Sequence, residues 1–197
     1  MGKVFDIVLV SLLWVVCCIP IITIGPATTA LYYSVVKSIR RERGYITKEF
    51  FHSFKTNFKQ GTITGVIFTV FAVIMSVNFY VVKQMDTKVS TVLIGIYLVL
   101  CAVVFITALY AFPNLSRFTL TIKHLFKNSL IMSIRHLPMS IVMALIVLVA
   151  LFLMYLVPIA TLFVPGVSCL LVSFMMERIL KRYTPEDVSR ADAWYME

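Results

Sequence analysis

Four stretches of this chain carry no Asp, Glu, Lys or Arg: Ile7 to Val36, Gln60 to Val82, Val89 to Ser116, and Leu137 to Met176. They run 30, 23, 28 and 40 residues. A helix needs about 20 apolar residues to cross the ~30 Å hydrocarbon core of a bilayer. The second and third stretches each fit one crossing. The fourth fits two, because a continuous helix of that length would be about 60 Å long. Pro158 and Pro165 mark its interruption. The apolar share of the chain is 60% and the charged share 14%, against about 25% charged in soluble domains. A soluble fold of this length would lack polar surface. The composition therefore excludes a soluble enzyme, a disordered chain and a disulfide scaffold.

The first stretch exceeds one span and falls short of two. Pro20, Gly25 and Pro26 interrupt it, and the arrangement predicts a hairpin. One segment covers about Phe5 to Ile19, a turn follows at Pro20 to Gly25, and a short helix returns from Ala27. With that hairpin the chain has six membrane segments, and without it five.

Lys and Arg collect in cytoplasmic loops. Segment 37–59 holds seven of them, segment 115–136 holds Arg117, Lys123, Lys127 and Arg135 with no acid, and the tail holds Arg178, Lys181, Arg182 and Arg190. These three segments are expected inside, with 83–88 outside and the C-terminus cytoplasmic. The excess charge, +9, is then accounted for by anionic lipid rather than nucleic acid. Neither a cleavable signal peptide nor an N-myristoylation site is expected: no A-x-A site follows the first apolar run, and position six is Asp6.

Two inside segments are amphipathic. Phe50, Phe51, Phe54 and Phe58 fall at helical spacing among Lys48, Lys55 and Lys59, which predicts an interfacial anchor. In 115–136, Leu115, Phe118, Ile122, Leu125 and Phe126 form an apolar face. Arg117, Lys123, Lys127 and Arg135 form a basic one that could dock on a partner. Gly61 and Gly65 have the small-residue spacing that lets helices approach closely.

Motifs for chemistry are missing. There is no Walker A loop, G-x-S-x-G, H-E-x-x-H or Rossmann glycine set. Cys17, Cys18, Cys101 and Cys169 all fall in apolar stretches, and no histidine has a carboxylate or cysteine at metal spacing. Only Asp6 among the acids is placed inside a span, and near its end. No enzyme activity, metal or cofactor is expected.

Several stretches resemble the YesL-like family of bacterial membrane proteins. They are Leu13-Trp14, Ile19 to Ala27, Ala30-Leu31-Tyr32, Phe50-Phe51 with Phe54 and Asn57 to Gln60, Leu109 to Pro113 with Arg117-Phe118, Leu125 to Ser129, and His136-Leu137-Pro138. That family is a domain of unknown function, and its genes often lie beside carbohydrate ABC importers. The resemblance implies an accessory or structural subunit of such a system, with ABC permease and ATPase subunits as partners. An autonomous small-molecule transporter or channel, with a path at Asn78, Thr107 and the Pro20–Pro26 break, is the alternative, as is a membrane sensor for a sugar-responsive regulator. The expected fold is an all-α polytopic transmembrane bundle in the bacterial plasma membrane. It has five or six membrane segments and two amphipathic cytoplasmic helices. Residues 1–182 form a single membrane domain and 183–197 a short cytoplasmic tail.

Overall fold

A computed structural model describes residues 2–84, 88–118 and 121–183, with the backbone alone at 88 and 89. The expected tail beyond Tyr183 and the acid at 86 lie outside the described residues. Within them the protein is all-α. Eight α-helices follow one another: α1 (Lys3–Cys18), α2 (Ile24–Ser34), α3 (Ile46–Thr56), α4 (Phe58–Lys83), α5 (Lys88–Arg117), α6 (Ile122–Arg135), α7 (Leu137–Leu156) and α8 (Val164–Tyr183). A π-helical turn (Val35–Arg40) extends α2.

Three helices are long and apolar enough to cross a membrane: α4, α5 over Ser90–Arg117, and α7. The expectation of five or six segments counted α1, α2 and α8 as well. Helices α1 and α2 are too short, at 16 and 11 residues, and α8 ends in Glu177, Arg178, Lys181 and Arg182.

The proline breaks have a simple cause. Pro20 and Pro158 each precede or open a short 3-10 turn between helices. Gly25 and Pro165 were expected in the breaks too and lie instead in the first turns of α2 and α8, while Pro26, interrupting the apolar run, stands at a helix start as expected. A missing N–H there costs no helical hydrogen bond.

α4 and α5 run antiparallel, with Phe68 and Phe112 6.0 Å apart between ring centres. α8 returns along α7, so that Tyr183 meets His136 at 3.4 Å. The starts of α4 and α7 and the ends of α5 and α8 thus share one end of the bundle, here the near end. Helices α1 and α2 do not stand as an upright hairpin beside these four. Ile7 and Ser11 of α1 meet Gly166 at the start of α8. Gly25 and Pro26 meet Gly61 and Gly65 in the first turns of α4. Tyr32 then reaches Glu177, and Arg40 reaches Ser173, both on α8. The pair runs from α8 to α4 and back, and successive parts of α2 touch successive helices. It lies across the bundle.

Two close approaches hold that crossing. A Cβ on Gly25 would sit 2.0 Å from the Gly61 carbonyl oxygen, and one on Gly61 would sit 2.8 Å from Pro26 Cα. Only hydrogen fits there. The Gly61–Gly65 spacing therefore serves packing within the chain. At the other side the Gly166 N–H donates to Ser11 Oγ at 2.9 Å, which satisfies one of the orphan donors that open α8.

Candidate functional site

The near end gathers most of the buried polar chemistry. Arg117, the last residue of α5, donates to Glu177 Oε2 on α8 at 3.3 Å. Both side chains are only 3% exposed. Tyr32 of α2 donates its hydroxyl to the other carboxylate oxygen at 3.0 Å. Three helices distant in sequence are thereby joined on one carboxylate. Beside them Tyr110 and Ser140 share a 2.8 Å hydrogen bond between α5 and α7. Ser140 lies within reach of the Ser133 and His136 carbonyls, each 3.0 Å away. Asn114 donates to Ser129 on α6 at 3.1 Å. A second ion pair closes the turn after α2: Lys37 meets Glu49 at 2.8 Å and donates to Tyr33 at 3.2 Å. Burial opposes the Lys37 charge, but the hydrogen bonds it donates to Glu49 and Tyr33 outweigh that and raise its pKa.

This geometry corrects the outward basic face expected for 115–136. That face assumed one helix. The structure divides the segment: residues up to Arg117 finish α5, and α6 starts at Ile122. Arg117 points inward to Glu177 and is buried there. Arg135 lies over the Tyr183 ring, 6.0 Å from its centre. Lys123, Lys127 and Arg135 remain exposed on α6, as expected, along with His124. Glu177 had no role in the sequence reading, because it stands just outside the fourth charge-free stretch, next to Arg178. A signal existed: Glu177 is the only acid between positions 87 and 185, a stretch that also holds Arg117.

The phenylalanine stripe is also reassigned in part. Phe50 is fully buried with Val10, Leu31, Val35 and Ile39, so it packs α3 onto α2 and α1. Phe54 stacks on Phe50 with ring centres 6.2 Å apart. Phe51 and Phe58 face outward.

An apolar cavity of about 240 Å³ lies between the α1–α2 pair and helices α5, α7 and α8. Trp14, Leu31, Phe105, Leu109, Ala150 and Val172 are among its walls, and Tyr32 is part of its boundary. Neither Asn78 nor Thr107 lines it; the Thr107 hydroxyl donates to the Val103 carbonyl of its own helix. Among the described residues there is no group of three or more His, Cys, Asp or Glu suited to a metal.

The fold and this polar junction define a helical protein with three helices able to cross a membrane. The YesL-like resemblance holds: residues 7–79 match the model of a family described as protein of unknown function, DUF624. No curated protein and no solved structure matches the chain.

Proposed function

We infer that this chain is a non-enzymatic accessory or structural subunit of a carbohydrate ABC import system in the bacterial plasma membrane, docking on permease or ATPase subunits supplied by other chains. The ABC association follows from the family resemblance. The observation on the molecule that supports it is α6. Its buried face is tied to α5 through Asn114 and Ser129, while the outer face of its first turns presents Lys123 and Lys127. A helix held so firmly at the near end is a platform for contact.

The same reading places the chain in the membrane with six segments. α4, α5 and α7 cross, and α8 crosses with them because it returns along α7. The transverse α1–α2 pair, too short to cross, supplies two further segments embedded in the membrane. The basic near end, with Lys59, Arg117, Lys123, Lys127 and Arg182, is cytoplasmic. The C-terminus is on that side.

Gentle-detergent purification tests the partner. A permease or ATPase should copurify with the parent chain and be depleted when Lys123→Ala is combined with Lys127→Ala, with folding unchanged. Removing one member of a desolvated charge pair at an interface costs about 2–5 kcal/mol, and a rim charge much less. Copurification that never occurs, or that survives the double substitution, rejects this docking role.

A further inference from the structure

We propose that the cavity between the α1–α2 pair and helices α5, α7 and α8 holds one acyl chain of a bilayer lipid. The inference rests on the membrane placement proposed above.

Three observations carry it. The first is chemistry. The hydroxyls and the indole at the wall are already engaged as donors: Trp14 Nε1 donates to Thr28 at 3.3 Å, Thr28 donates to the Ile24 carbonyl at 2.7 Å, and Ser168 donates to the Pro165 carbonyl at 3.1 Å. The Tyr32 hydroxyl is committed to Glu177. Water needs two to four polar partners to reside in a cavity, and these walls are almost wholly apolar, with every hydroxyl and indole proton already spent. The occupant that suits them is hydrocarbon. The second is size. At about 240 Å³ the space exceeds the ~150 Å³ apolar cavity that takes up benzene, and leaving it empty forfeits dispersion contacts along every wall. The third is access. Leu151, part of the wall, is 48% exposed on α7, and Leu148 and Phe152 beside it also face outward. The mouth therefore opens on the surface of a helix apolar enough to sit among lipid chains, so a chain enters sideways without meeting water.

The chain carries its own probe. Its two tryptophans are Trp14 and Trp194, so Trp194→Phe leaves Trp14 as the sole indole. This variant is reconstituted in phosphatidylcholine vesicles whose acyl chains carry bromine, a short-range quencher. Trp14 fluorescence should be quenched by the brominated chains and untouched by aqueous iodide. Filling the cavity with Ala150→Phe, or more mildly with Ala108→Leu, should abolish the chain quenching. A second reporter separates the two readings: Phe152→Trp, on the outer face of α7, in a background of Trp14→Phe and Trp194→Phe. Quenching of that reporter without quenching of Trp14 overturns the cavity proposal and leaves the membrane placement standing. So does Trp14 quenching that survives cavity filling, or Trp14 quenching by iodide. Quenching of neither reporter overturns the membrane placement, and the cavity proposal with it.

Discussion

The near end of the bundle and the far stretches of α4, α5 and α7 are built on different rules. At the near end helices are joined by specific polar groups: Arg117, Glu177 and Tyr32 on one carboxylate, Tyr110 on Ser140, Asn114 on Ser129. Over the apolar windows of α4, α5 and α7 only 11%, 6% and 22% of residues are buried inside the protein. Val73, Val77, Val99, Leu148 and Phe152 point outward there. An aqueous protein could not keep such a surface. In hydrocarbon it is cheap, since lipid tails are as apolar as leucine and give helices no hydrophobic reason to associate. The comparison teaches where cohesion resides. The far stretches need lipid for their environment, and the near end sets which helices are neighbours.

The largest effect should come from breaking the buried ion pair. Arg117→Ala leaves Glu177 enclosed without its cation, and removing one partner of such a pair costs about 3–5 kcal/mol. A thermal melt in mild detergent should show the loss. Replacing the whole cluster, Arg117→Met with Glu177→Leu and Tyr32→Phe, should recover most of it, because apolar residues of similar volume often substitute for a buried pair without loss and no hydroxyl is left without its acceptor. A melt unchanged by Arg117→Ala would mean that the near end is held by packing alone.

Next comes the crossing of α2 over α4. Gly25→Ala puts a methyl group into the Gly61 carbonyl, and forcing extra carbon into a closed contact costs about 1–3 kcal/mol. The melt should fall. Since the clash is with backbone, Gly61→Ala should cost a similar amount, and a harmless outcome at both positions would separate α2 from α4.

A smaller loss is expected from Tyr110→Phe. It deletes one neutral hydrogen bond while Ser140 keeps carbonyl acceptors within reach, so about 0.5–1.5 kcal/mol is at stake. The detergent melt again reads it.

The smallest effect belongs to the far stretches. Leu148→Ala and Val99→Ala alter side chains that touch little of the protein, and exposed substitutions of this kind stay within about 0.5 kcal/mol. A drop as large as that of Tyr110→Phe would show that these faces are packed against something, and the contrast between the two ends would collapse.

The charge-free runs made the long helices legible, and Pro20 and Pro158 made their ends legible, because hydrocarbon thickness and proline geometry act locally. The partners of those helices were hidden. Gly61 and Gly65 announced a close approach without naming Gly25 as its other side. Arg117 misled because one helical spacing was applied to residues of two helices, α5 ending at Arg117 and α6 starting at Ile122, so its side chain was given the wrong direction. Phe50 looked like a lipid anchor for a similar reason: a stripe of aromatics shows which residues share a face, while the neighbour covering that face comes from α1 and α2. Glu177 looked like part of a basic tail, although its burial depends on Tyr32, 145 residues away in sequence.

That separation bears on how the molecule is made. Ribosomes release the amino-terminal part first, at about 5–20 residues per second. Tyr32 and Arg117 are both in place before their shared acceptor has been translated. Throughout that interval Arg117 lacks the carboxylate that it meets in the finished fold. Closure comes with α8, so a product cut short before it lacks the carboxylate that joins three helices.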